Sequence, residues 1–410
     1  MTANTTDELL SDISARIQLP PSMHNVAVER YGTVAKYLER ENSPLKDKVI
    51  EIYTQGSIAI GATIKSMNDK DDDLYDIDLI AEIDPSVGNT PDDFLDALYR
   101  SIKGERGSRY YDCTERQTRC VTIQYKDMHV DITPMIRVSH EHQTIARAGK
   151  ISHADPQKLQ EQDFVENNSA GLSAHINESM PDVQAFSKRY AVLTEQYDHR
   201  FLEKRAEIQP APEQEDLASK SVTTVALQLI KRYMQIAWSA PDRKDFRKPP
   251  TVVLSLLAAE NALGNGSLAD EVIHLSKRIA ETFDSNQPVT VCNPTYPKDI
   301  LTDRWPEQDR LVEDQKMLSD DLYALARDIE LISQLSLKDK KDILTKLFGE
   351  KLTERAYENF YERNNLNTKQ DTRAVVPKTG AIALVGITKP SNSNEVTPPK
   401  KTSWGGFDED

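Results

Sequence analysis

Apolar and polar residues alternate along Tyr75–Ile83 (YDIDLIAEI) and again along His129–Ile136 (HVDITPMI), a period of two that predicts two half-buried strands. Successive strand side chains point to opposite faces, so Asp76 and Asp78 share one face while Ile77, Leu79, Ala81 and Ile83 point into a core. In the second segment Asp131 and Thr133 share a face, and Val130 and Ile132 take the other. A further strand is expected over 48–54, directly before a Gly56-Ser57 pair, and Phe94, Leu95, Leu98 and Ile102 predict a helix between strands. Helical spacing of Ala27, Tyr31, Val34 and Leu38 predicts a helix over 21–41.

Past Pro134, residues 139–179 read as a polar connection without strong periodicity, and the remainder reads as helix over 182–207, 214–239, 250–263, 267–285, 306–333 and 337–364. Pro- and Gly-bearing stretches (PAPEQED, SAPDRKD, GNGS) separate several of these, as helix stop signals should. Within 214–239, Val222, Val225, Ala226, Leu229, Tyr233 and Ile236 form a buried stripe that leaves Gln228, Lys231 and Gln235 on a polar flank. The expected fold class is α+β, a mixed sheet followed by a helical bundle, with a cleft between them.

A chain of 410 residues exceeds what one core usually serves, so two domains are expected. Cys113, Cys120 and Cys292 cannot all pair and lack close metal spacing, which suits a reducing compartment. The amino terminus MTANTTDELLSDI has no basic stretch before an apolar core, and no window approaches the length of a spanning helix. Cytoplasm without membrane attachment is therefore expected. With 66 acidic against 51 basic residues, a net charge of −15, the chain lacks the basic face that a stable nucleic-acid partner requires. Arg243, Lys244, Arg247 and Lys248 are the notable basic cluster of the helical half, read as a loop flanking the cleft. His140 and His142 read as surface residues, and the acidic run Asp69 to Asp73 as a solvated loop.

The carboxylates carry the chemistry. If the two Asp-bearing strands pair, Asp76, Asp78 and Asp131 converge, and three such charges repel one another unless a cation sits between them. The oxygen-only ligand set suits Mg²⁺, with Mn²⁺ as a substitute. Two such ions can clamp the attacking and leaving oxygens of an in-line displacement on phosphorus. Gly56-Ser57 supplies the other half, because a residue without Cβ lets backbone amides approach phosphate oxygens and the Ser hydroxyl adds a donor.

In this order the motifs resemble the polymerase beta-like nucleotidyltransferases, and within them the bacterial cGAS/DncV-like enzymes of CBASS anti-phage defence. The resemblance extends to LQLIKRYMQ (227–235), KPPTVVLSLL (248–257) and NPTYPKDILTDRW (293–305) in the helical half. It implies a catalytic core over 1–180, a helical domain over 181–364 that closes the cleft, and a flexible tail over 365–410. It also implies Asp76, Asp78 and Asp131 as metal-binding catalytic residues, and Gln55, Gly56, Ser57 and Lys231 as nucleotide-binding ones. The implied activity is condensation of nucleoside triphosphates, ATP or GTP or both, into a cyclic di- or trinucleotide second messenger with release of pyrophosphate. Linear transfer to RNA or a small molecule, and an inactive scaffold recruited through the tail, are the competing readings.

From about Asn365 the composition shifts to Asn, Thr, Lys, Pro and Ser, a mixture that buries too little apolar surface to fold alone. The stretch AIALVGI (381–387) departs from it and is expected to add a strand to this protein or to a regulatory partner. The terminal Asp408-Glu409-Asp410 disfavours conjugation of the carboxyl terminus, which some relatives of the family undergo.

Overall fold

The structure is a computed structural model, and it describes residues 5–66, 74–137, 147–158, 160–181, 220–243, 245–264, 266–306, 310–371, 373–375 and 382–384. Its centre is a seven-stranded mixed sheet. Strand β1 (Val49–Gln55) pairs antiparallel with β2 (Tyr75–Ile83), which pairs parallel with β5 (Met128–Arg137). The first half of β5 carries β4 (Val121–Gln124) and then β3 (Thr114–Arg116), while its second half carries β6 (Gly149–Ala154) and then β7 (Gln162–Asn167). The parallel pairing places Asp78 opposite Asp131 and Asp76 opposite His129.

The alternation read from the sequence sorts the two faces of this sheet. Ile77, Leu79, Ala81, Ile83, Val130 and Ile132 lie on the buried side and pack against α2 (Pro21–Leu38) and α4 (Pro91–Lys103) in one core. Helix α4 is set by a capping box in which Thr90 and Asp93 exchange hydrogen bonds, and Pro91 fills its first turn. The opposite face carries a smaller cluster of Tyr53, Ile80, Met135 and Ile151, leaving room for the polar groups of β2 and β5.

Three sequence expectations are corrected here. The segment 139–179 is not simply a polar connection: it holds β6, β7 and helix α5 (Ser169–Ser179). The sheet-edge strand β7 alternates poorly and α5 buries only Ser169, Leu172 and Ile176, so neither projects a clear period into the sequence. The expected helix over 337–364 is two helices, α10 (Leu337–Phe348) and α11 (Glu350–Asp371), separated by Gly349 at φ +100°. An unpredicted helix, α1 (Thr5–Ile17), precedes the sheet, and Leu9, Leu10 and Ile13 within it are wholly buried.

The remaining helices are α6 (Val222–Trp238), α7 (Thr251–Glu260), α8 (Leu268–Phe283) and α9 (Leu311–Gln334), with a short hairpin of β8 (Cys292–Asn293) and β9 (Tyr296–Ile300) between α8 and α9. Ser221 caps α6, which therefore begins at Val222. The helix expected over 182–207, His140, His142, Lys244, the run Asp69–Asp73 and the extreme carboxyl terminus lie outside the described residues. Residues Met1–Thr353 form one compact unit and Glu354–Asp410 a second. In the second, β10 (Arg373–Val375) and β11 (Ile382–Leu384) pair antiparallel, so the apolar stretch of the tail meets a strand of this chain. Among the described residues no helix is long and apolar enough to cross a membrane.

Candidate active site

Gly56 ends β1 and begins the single-turn α3 (Gly56–Ala59) at φ +61°, a conformation that disfavours any residue with a Cβ. A Cβ there would also sit 2.9 Å from Asp78 Oδ2, so a side chain at 56 would have to displace that carboxylate oxygen as well as strain the turn. Ser57 Oγ lies 3.2 Å from Thr63 Oγ1, and Gln55 is the register partner of Asp78 across β1 and β2. Gln55, Gly56, Ser57 and Asp78 thus line one end of a cleft of about 350 Å³. Its other walls come from α5 through Leu172 and Ile176, from the start of α7 through Thr251, and from the β8–β9 hairpin through Asp299.

The carboxylates interact electrostatically. Asp78 is pushed up to about 7 by burial, by Asp131 and by Asp76, with Lys231 pulling the other way. Burial also raises Asp131, whose Oδ1 accepts a 2.6 Å hydrogen bond from Thr122. The more exposed Asp76 accepts from Ser66 Oγ at 2.9 Å and lies 3.6 Å from His129. Neighbouring donors thus engage Asp131 and Asp76, and among the described residues no trio of His, Cys, Asp or Glu is gathered into a ready-made metal cluster. Their chemistry nevertheless fits a hard divalent cation, since an all-oxygen donor set in which Asp78 and Asp131 are raised by burial and by neighbouring carboxylates is stabilised by a positive charge placed among them.

Lys231 requires a correction. Two of the three residues on the polar flank assigned to α6 lie inside the protein: Gln228 is wholly buried and Lys231 only 6% exposed, while Gln235 is half-buried. Gln228 Nε2 donates to the Thr63 carbonyl at 3.1 Å and Lys231 Nζ to the Ala62 carbonyl at 2.9 Å, tying α6 to the loop that follows the Gly-Ser turn. Burial lowers the Lys231 ammonium to about 8, while Asp78 and Asp76 pull it back up. Lys220, one residue before the cap of α6, is lowered to about 7 by burial and by Lys231. Asp76, Asp131 and Lys231 are within electrostatic reach of Asp78, although the cleft wall itself is formed by other residues.

Comparison with known proteins fits this geometry. Residues 3–168 match the model of the Second Messenger Oligonucleotide or Dinucleotide Synthetase domain. Over 372 residues the chain is 35% identical to the cyclic dinucleotide synthase CdnG of Bradyrhizobium diazoefficiens, covering 88% of this chain and 84% of that one. The chain belongs to this synthetase family. As a member of these cGAS/DncV-like enzymes it is a nucleotidyltransferase that makes cyclic oligonucleotides, in a family whose chemistry uses divalent metal. A second relative of the synthetase, the c-di-GMP synthase of Roseivirga ehrenbergii, is 24% identical over 287 residues, 68% of each chain. The structure of B. diazoefficiens CdnG in complex with GTP superposes with a TM-score of 0.71 at 33% identity, covering 87% of this chain and 99% of that one. The E. coli MS115-1 CdnC:HORMA-deltaN complex, at 15% identity and a TM-score of 0.50, shares the fold.

Sequence reasoning missed several residues of the synthetase site. Thr122 supports Asp131, while Leu172, Thr251 and Asp299 line the cleft. Thr251 could have been suspected, because it follows Pro250 at the start of a predicted helix. Nothing in the local pattern marks Leu172, whose helix looks like loop.

Proposed function

We propose that this synthetase condenses nucleoside triphosphates, GTP among them, into a cyclic dinucleotide that serves antiviral signalling. The observation that carries the reading is Asp78 facing Asp131 across parallel strands, beside the Gly56-Ser57 turn and within the field of Lys231. The choice of GTP rests on CdnG, solved with that nucleotide. Asp76, Asp78 and Asp131 would hold Mg²⁺, which when bound supplies charge neutralisation at the reacting phosphate.

The chain's own groups do the remaining work. Gly56 lets the backbone approach the triphosphate, and Ser57 and Gln55 orient it. Lys231, anchored on Ala62, adds a fixed positive charge on the leaving-group side. The 3′- or 2′-hydroxyl oxygen of one nucleotide attacks the α-phosphorus of another. A P–O bond forms, the bond from the α-phosphorus to the oxygen bridging to the β-phosphate breaks, pyrophosphate leaves with the electron pair, and the hydroxyl proton passes to a neighbouring carboxylate or water. A second transfer within the linear dinucleotide closes the ring.

The test is to incubate the protein with each nucleoside triphosphate and with all four, in Mg²⁺, followed by phosphatase and mass spectrometry. A phosphatase-resistant cyclic dinucleotide containing guanine, absent with Asp76→Asn, is the expected result. A linear product alone would instead favour transfer to an external acceptor.

A further inference from the structure

The cleft is closed at one side by Asp299, a carboxylate 5% exposed on the β8–β9 hairpin. Asn168 N–H donates to its Oδ2 at 2.8 Å, and Asn293 Nδ2 donates to the same oxygen at 2.9 Å. Both donors converge on one oxygen, and Oδ1 accepts no hydrogen bond from the described residues. Oδ1 is also absent from the sealed interior: the residue lies on the cleft wall, and this oxygen is not among the buried polar atoms that lack partners.

The orientation is fixed one layer further back. Asn293 is wholly buried, and its Oδ1 accepts from Thr295 N–H at 3.0 Å and Thr295 Oγ1 at 2.7 Å. Its Nδ2 must therefore be the donor group, and it bridges Asp299 Oδ2 and the Asn168 carbonyl at 2.9 Å each. Asp299 cannot exchange its two oxygens' roles without breaking this network. With Oδ2 engaged by buried neighbours, Oδ1 is the oxygen left to accept from a group held in the cleft that Asp299 lines.

We infer that Asp299 selects guanine, its Oδ1 accepting from the N1–H and the exocyclic N2–H of a guanine base held in the cleft. Guanine offers two adjacent donors on that edge. Adenine offers N6–H beside N1, a lone pair that a carboxylate oxygen repels. Leu172 and Ile176 of α5 supply apolar surface on the same cleft for the faces of a base. The inference rests on the nucleotidyltransferase reading of this site and names what that site recognises.

A variant built on the same network gives the test. In Asp299→Asn, the amide must turn its oxygen to Asn168 N–H and Asn293 Nδ2, which leaves its NH₂ in the cleft. That donor opposes guanine N1–H and complements adenine N1. The measurement is equilibrium binding of guanosine and adenosine 5′-(α,β-methylene)triphosphates, in which the bridging carbon blocks transfer, by titration calorimetry. The wild-type chain should prefer the guanine analogue, and Asp299→Asn should weaken it about tenfold or more while leaving the adenine analogue equal or tighter.

Equal weakening of both analogues would assign Asp299 to ribose or to support of the wall, and would overturn the inference, as would an unchanged ratio. Should Asp299→Asn fail to fold, the wild-type chain still decides. Methylation of guanine N1 should weaken its binding about tenfold or more, and an unaffected affinity would overturn the assignment. A wild type that binds neither analogue overturns the reading of this cleft as the nucleotide site, and the role of Asp299 with it. A wild type that binds both nucleotides equally and makes a cyclic product leaves the parent reading standing and overturns only the role of Asp299.

Discussion

Gly56 shows how closely one residue can be specified. Its positive φ and its approach to Asp78 both disfavour a side chain, so Gly56→Ala must strain or straighten the turn or displace the carboxylate. The strain is of order 1–2 kcal/mol. The expected outcome is a folded protein whose cyclic product falls at least about tenfold, read from initial rates of pyrophosphate release. Asp131→Asn is expected to abolish turnover with a circular dichroism spectrum unchanged. Asp78→Asn should do the same to turnover yet raise the stability of the metal-free protein by about 1–3 kcal/mol, because it removes a charge that burial and two like neighbours disfavour. Urea titration checks the sign, and a loss of stability would mean that the Asp78 carboxylate is better satisfied than its surroundings suggest.

Among the elements, α1 is the least expected and the most deeply placed. Asp7 Oδ1 accepts from Ala269 N–H in the first turn of α8 at 2.9 Å, and Thr6 Oγ1 accepts from Lys340 Nζ of α10 at 2.7 Å. The last residue of α1, Ile17, accepts through its carbonyl from Lys65 N–H at 2.7 Å. This helix therefore links the helical half to the loop behind the Gly-Ser turn. Leu10→Ala removes a wholly buried side chain and is expected to cost about 2–5 kcal/mol, seen as a lower urea midpoint at unchanged slope. Its periodicity escaped reading because Thr6, Asp7, Ser11, Asp12, Ser14 and Arg16 are buried alongside the apolar positions. Helix α6 hid its role for a similar reason: a polar flank reads as solvated until another element covers it.

Across the whole molecule, the shared field of the carboxylates couples metal, protons and stability. Asp78 holds its proton up to about pH 7 in the fold, against 3.8 ordinarily, so the folded state binds more protons than the unfolded one between those values. Stability should then fall as pH rises through that window, and the full cost remains above it. A divalent cation needs the ionised carboxylates, so MgCl₂ should raise Tm more at pH 8 than at pH 5. Equal shifts at both pH values would place the cation elsewhere. At this scale the net charge of −15 also argues against tight binding of long polynucleotides, expected to show as no retention of labelled duplex at physiological salt.

The sequence by itself determined the strands that carry Asp76, Asp78 and Asp131 and the face each takes, because alternation is a property of neighbouring residues. Tertiary structure decided the rest. Only the parallel pairing of β2 with β5 sets Asp78 against Asp131, since register belongs to two segments far apart in the chain. Only the packing of α6 against the loop at Ala62 and Thr63 turns Lys231 from a surface ammonium into a buried one. The cleft wall drew on α5 and the β8–β9 hairpin, whose short, weakly patterned segments acquire a purpose from what they face. Asp299 is the clearest instance: its free oxygen is defined by the two donors that occupy the other, one of them 131 residues away in the chain.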